Sequence, residues 1–176
     1  MSSVGGIGGG ITVGDIKGLD LESAMMAIQS QRANGLEAQL KGQMEDIQKR
    51  NETIAGLNKL LTDVKSRRPD GDPTTWKDLG DTKEAAAEMY NRLKAEGLDM
   101  SNVDEPGSGK YDAQQSKIDK WVEALKGKID TLNSSQQMDM LRMQSLTNKR
   151  NEAFDLMTNF IKKMADSRSS ILGNMR

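Results

Sequence analysis

The stretch Gly107–Ser108–Gly109–Lys110 ends like a phosphate-cradling loop, in which backbone amides and a lysine hold a polyphosphate. Such a loop needs a glycine at position 104 and Ser or Thr at 111, and Asp104 and Tyr111 stand there instead. The run GGIGGG near the start is not a dinucleotide fingerprint, because no strand precedes it and no helix opens directly behind it. DGDP at 70–73 has too few spaced oxygens for a calcium loop and reads as a turn. Carboxylates remain the only abundant acid–base groups. They are scattered along helical faces with a Lys or Arg three or four residues away, as in Glu45 with Lys49 and Glu123 with Lys126, the spacing of solvated helix pairs. The chain has no cysteine and no histidine, which removes disulfides, Cys/His metal sites and Cys or His nucleophiles and bases. No catalytic residue, cofactor site or metal site is expected, and the reading is of a non-enzyme.

Composition explains why. Of 176 residues, 35% are apolar and 3% aromatic while 29% are charged, which suits long helices burying a narrow stripe. With 25 basic against 26 acidic residues, there is no electrostatic case for nucleic acid or an anionic membrane. No run is long and apolar enough to insert in a bilayer. A chain without cysteine also suits a protein that travels unfolded without cross-linking.

Along the chain, residues 1–19 are glycine-rich and read as a flexible arm, with Asp20 as a helix cap behind it. From Leu21 to Arg67 there is no proline, and Ala33, Leu36, Leu40, Ile47, Ile54, Leu57, Leu61 and Val64 recur in alternating steps of three and four, interrupted by Gln43 and Arg50. Pro69 stops this helix. Residues 69–111 contain turn-rich stretches around a short helix, with Asp81 and Glu84 as its capping box and Gly97 at its end. Asp112 with Gln115 is read as the cap of a second long helix, whose seam runs Ile118, Val122, Leu125, Ile129, Leu132, Met143, Leu146, Ala153, Met157, Phe160, Met164 and Ile171. Gln136, Asp139, Arg150 and Ser167 fall in that seam, where polar residues can specify register. NSSQQ at 133–137 is a weak helix former and could bend it. The expected fold is all-α: a long antiparallel hairpin over 20–68 and 112–173, with 69–111 inserted as a surface subdomain.

Helix lengths then say something about the end of the chain. Helices over 21–67 and 113–172, folded back from the insertion, place Arg67 near Ala113 and Leu21 near Asn159. Residues 160–172 then overhang by about 20 Å. That overhang and the turns before it hold Phe154, Met157, Phe160, Ile161, Met164, Ile171 and Leu172, an apolar stripe in need of a partner. The same helix carries Lys149, Arg150, Lys162, Lys163 and Arg168.

The segment NSSQQMDMLRMQSLTNKRNEAFDLMTNFIKKMADSRSSILGNMR, residues 133–176, closely resembles the C-terminal helix of Bordetella-type tip-complex filament proteins. These belong with the EspA-like needle-extension filaments of type III secretion. LESAMMAIQSQRANGLEAQLKGQMEDIQKRNETIAGLNKLL is similar to their first helix more loosely, and 69–111 departs in length. The resemblance implies export through the needle by an uncleaved N-terminal signal, and assembly outside the cell as a hollow helical homopolymer. It further implies contacts with the needle subunit and translocator proteins, and a cytosolic secretion chaperone before export. The seven apolar residues named above would then be assembly contacts, and the five basic ones candidates for lining the channel. A cytosolic coiled-coil adaptor or secretion chaperone, docking its apolar tail on one client, is the competing expectation.

Overall fold

A computed structural model describes residues 21–103 and 111–174. The described chain is an all-α helical hairpin in which two long helices, α1 (Leu21–Ser66) and α3 (Gln115–Asn174), pack against each other. Between them lie strand β1 (Trp76–Asp78), helix α2 (Lys83–Ala95) and strand β2 (Asp112–Gln114). The glycine-rich arm, the Asp20 cap and the GSGK stretch fall outside the described residues. The chain divides into two compact units, Ile47–Met138 and the residues through Asp46 together with those from Asp139.

The unit 47–138 holds a continuous hydrophobic core. Leu57, Leu61 and Val64 of α1 are buried with Ile118, Trp121, Leu125 and Ile129 of α3. The insertion adds Leu79, Ala86, Met89, Leu93 and Leu98 to the same cluster. Its α2 is short but well terminated. Thr82 is the N-cap, its hydroxyl accepting from the Ala85 amide at 3.2 Å. Gly97, at φ +69°, ends it in the left-handed turn that glycine adopts without strain, and the Leu98 amide reaches back to the Leu93 carbonyl. Gly80 lets the N-terminus of α2 come close: a Cβ there would stand 2.2 Å from the Ala86 nitrogen.

Strands β1 and β2 form an antiparallel ribbon with Trp76 opposite Gln114 and Asp78 opposite Asp112. Stacked Tyr90 and Tyr111 rings, with centroids 4.4 Å apart, pack at the edge of the core. Polar ties then fasten the insertion to the helices. Arg67 makes a two-point ion pair with Asp81 (2.6 and 2.8 Å), and Arg92 reaches Asp63 at 2.7 Å. Asp99 accepts from Lys117 at 2.6 Å, while the Trp121 indole N–H donates to the Asp99 carbonyl at 2.8 Å. Lys128 donates to the Glu96 carbonyl.

The other unit, 21–46 with 139–174, is thinner. Its buried apolar residues are Ala24, Ala33, Leu36, Leu40 and Ala153, with Asp139 buried among the polar ones. Alanines at a helix contact bury little area each, so this seam is stabilised far less than the core of 47–138.

Several sequence expectations need correction. Asp81 is not the cap of α2: Thr82 fills that role, and Asp81 is held by Arg67. Asp112 does not cap α3, because it lies in β2. The start of α3 is fastened instead by Gln115, whose buried side-chain amide donates to the Pro69 carbonyl at 2.7 Å. The helix stays continuous through 133–137. The pairing of the long helices is also shifted, by more than the two residues, Ala113 and Gln114, that the ribbon takes from the expected helix. Arg68, not Arg67, lies at the turn end of α3, on Asp119 at 2.6 Å. In the thinner unit Glu37 lies opposite Arg150. Counting from Glu37 back to Leu21, and the same distance forward from Arg150, reaches Asp166, not Asn159.

Candidate assembly surface

The second half of α3 divides into lengthwise stripes that follow from a seven-residue period. Its seam faces α1. Met143, Leu146, Met157, Phe160 and Met164 are half-buried there and Ala153 is fully enclosed. The α1 seam was well anticipated: Ala33, Leu36, Leu40, Leu57, Leu61 and Val64 are buried, and Gln43, Ile47, Arg50 and Ile54 are half-buried. Two polar residues of the α3 seam have side-chain partners. Arg150 places Nη1 4.0 Å from Glu37 and Nη2 3.3 Å from the Asn151 side chain. Within the unit 47–138, Gln136 donates to Asn51 at 2.5 Å.

One flank of the seam carries no charge from Met140 to Ala165, and Arg168 is the next residue along it. Met140, Thr147, Phe154 and Ile161 recur every seven residues, and Gln144, Asn151, Thr158 and Ala165 fill the positions between. Phe154 is 42% exposed, Met140 56% and Ile161 55%. The charges of this helix segment lie elsewhere on its circumference. Arg142, Lys149 and Lys163 share one heptad position on the opposite flank, and Glu152, Asp155 and Lys162 sit on the outer side. So α3 carries a seam, an uncharged flank and a basic flank side by side.

The residues singled out from sequence therefore separate into three groups. Met157, Phe160 and Met164 contribute to the seam within one chain. Phe154 and Ile161 lie on the uncharged flank. Ile171 and Leu172, 61% and 69% exposed, lie past the level of Leu21, where every described side chain from Ala165 to Gly173 is exposed. Among the basic residues, Arg150 faces the seam, while Lys149, Lys162, Lys163 and Arg168 are exposed. Sequence reasoning missed Met140, Leu141 and Leu156 as exposed apolar residues. The signal for Met140 was present in its spacing of fourteen residues from Phe154, two heptads along one face.

A cleft of about 190 Å³ in the unit 47–138 is lined by Asp63, Arg67, Leu79, Gly80, Met89 and Arg92 among others, but Arg92 is engaged by Asp63 and Arg67 by Asp81. Among the described residues no group of three or more carboxylates is placed to hold a metal ion. No helix among them is long and apolar enough to cross a membrane. The strongest electrostatic perturbation belongs to Asp99, whose carboxyl is held well below the usual range by the Lys117 ammonium, the Ser101 amide and the Ser101 hydroxyl. It fastens a loop. No protein-family model matches the chain, and comparison with curated proteins and with solved structures finds no match either.

Proposed function

We propose that the protein is a structural subunit of a type III secretion extracellular filament or needle tip. It self-assembles through its C-terminal helix into a hollow conduit for effectors and translocators. It leaves the cell without a cleaved signal peptide, is covered by a secretion chaperone beforehand, and meets the needle subunit at one end and translocator proteins at the other. It acts without cofactor or catalytic residue. The secretion-system assignment rests on the resemblance of residues 133–176. Self-assembly is carried by a different observation: α3 exposes Phe154, Ile161, Ile171 and Leu172 on a helix whose seam is already occupied by α1. Exposed apolar side chains of this size are stabilised by burial against another chain. The basic flank with Lys149 and Lys163 is the candidate channel lining, since it would stay solvated beside a passing polypeptide.

Electron microscopy of the purified protein over a range of concentration and pH tests the assembly. Helical polymers or discrete rings are the expected particles, lost on deletion of 160–176. Monomers under all conditions refute self-assembly, and a one-to-one complex with a single cytosolic client would favour the adaptor or chaperone reading. Secretion is tested separately, by the protein's presence in the supernatant of a secretion-competent strain and its absence from that of a secretion-null one.

A further inference from the structure

We infer that residues 15–20, just ahead of α1, dock on the last turns of α3 in the same copy of the chain and shield Ile171 and Leu172 while the subunit is free. The docking stands by itself, and its consequence for assembly rests on the self-assembly reading above. With Glu37 opposite Arg150, Leu21 comes level with Asp166, so α3 runs on past the first described residue of α1. Beyond that level the seam of α3 continues. Ile171 is seven residues after Met164 and fourteen after Met157, yet it is exposed while they are half-buried. The seam of α1 continues backwards in the same way. Leu19 is seven residues before Met26, which is half-buried, and fourteen before Ala33, which is enclosed. Each side of the seam thus has one further apolar member, and the antiparallel pairing brings the two to the same end of the hairpin.

The levels agree whichever conformation joins them. At about 1.5 Å per residue for helix, or about 3.3 Å for extended chain, Asp20 falls level with about residue 167 or 168 of α3. Ile16 in a helical segment, or Leu19 in an extended one, comes within about one residue of the level of Ile171. Charge matches as well. Arg168 follows Phe154 and Ile161 along one line of α3, and Asp20 is the residue that reaches its level. Asp166, the neighbouring acid, shares the heptad position of Glu152 on the outer side, away from the seam. The tether decides between this segment and a second copy. A segment joined directly to α1 is present at an effective concentration on the order of millimolar, so at micromolar protein it prevails over the same residues of another chain. It must leave Ile171 and Leu172 before another subunit covers them, and the fraction of free ends scales the apparent affinity of assembly.

Hydrogen exchange of the amides of 165–173, measured on dilute full-length protein, tests the docking. Wild type is compared with Ile16→Ser/Leu19→Ser, which keeps chain length and charge. Exchange of these amides is expected to be about tenfold faster in the variant, with the amides of 115–130 unchanged. Arg168→Glu is expected to speed exchange in the wild-type background at low salt and to add nothing in the serine background, because its pair with Asp20 exists only in the docked segment. An equal increase in both backgrounds would place its effect on the helix end and overturn that pairing. The critical concentration for sedimentation is expected to fall by about the same tenfold in the serine variant, since docking leaves only that fraction of ends free. Equal exchange in wild type and serine variant overturns the docking. Protection that grows with protein concentration assigns the overhang to a second copy and also overturns it. Wild type that never sediments removes the self-assembly reading alone, because exchange still decides the docking. Wild type that sediments at a concentration the serine variant does not lower overturns the competition with assembly.

Discussion

Replacing Phe154 and Ile161 together by alanine separates assembly from folding, because each side chain is about half in water before any partner arrives. Full burial of a Phe or Ile side chain is worth about 1.5–3 kcal/mol. At 42% and 55% exposure, close to half of that remains to be gained at an interface. Alanine keeps part of the contact, so the pair should weaken each intersubunit contact by about 2 kcal/mol, roughly thirtyfold in critical concentration at 1.4 kcal/mol per decade. The folded subunit loses the other half of the burial. Alanine returns a few tenths of a kcal/mol per position through its higher helix propensity, leaving a net cost of about 1 kcal/mol. For a domain of this size that lowers the melting temperature by roughly 2–4 °C. Circular dichroism at a concentration where the protein is monomeric gives the second quantity, and the pelleted fraction across a dilution series gives the first. A variant that melts like wild type and pellets at wild-type concentration would refute the assignment of this flank to assembly. A melting temperature lowered by more than 10 °C would show that the two side chains belong to the subunit's own core.

Three further outcomes test the fold. Leu125→Ala, at a site with no exposure, should cost about 2–5 kcal/mol in urea unfolding, because the cavity lies within a continuous core. Gly80→Ala should destabilise the insertion, since the new methyl would collide with the backbone of α2. Faster hydrogen exchange of α2 amides than of those in the middle of α3 would show it. Asp99 has a lowered pKa in the folded state, so the stability it lends is present above the unfolded value of about 3.9 and is lost as pH falls through the lower folded one. The difference in urea midpoint between wild type and Asp99→Asn should therefore stay constant from about pH 7 to 5 and shrink below about pH 4. A difference that disappears already near pH 6 would rule out the Lys117–Asp99 tie as its source.

The long helices were legible because their signal repeats. A seam sampled every three or four residues over more than ten turns averages out local exceptions, and even its polar members Gln43, Arg50 and Arg150 occupy the positions that the spacing assigns them. The insertion was less legible, because its order comes from contacts distant in sequence. Strands of three residues carry no readable alternation, and β1 exists because Trp76 finds Gln114 across the whole insertion. The cap of α2 was misplaced by one residue: Asp81 and Thr82 are both good capping residues, and the choice was decided by Arg67 drawing Asp81 away. The uncharged flank was only partly visible. Phe154 and Ile161 stood out by size and fell outside the seam that takes in Ala153 and Phe160, but the flank they share with Met140 was not read from the spacing. The shift in pairing at the turn was not legible, because it is set by contacts of the insertion that are distant in sequence.

The aromatic residues are partitioned between the two units, and this governs how the protein can be watched. Trp76, Trp121, Tyr90 and Tyr111 all lie within 47–138, while both phenylalanines lie in the other unit. Intrinsic emission therefore reports on the insertion and its core and is blind to the half of the hairpin where assembly is proposed. A fluorescence-detected melt would follow the sturdier unit and could miss fraying of the weaker one altogether. The blindness is also an opportunity. A tryptophan placed at Phe160, with Trp76 and Trp121 changed to phenylalanine, would give a spectroscopic channel confined to the seam beside the proposed contact, on a background free of other indoles.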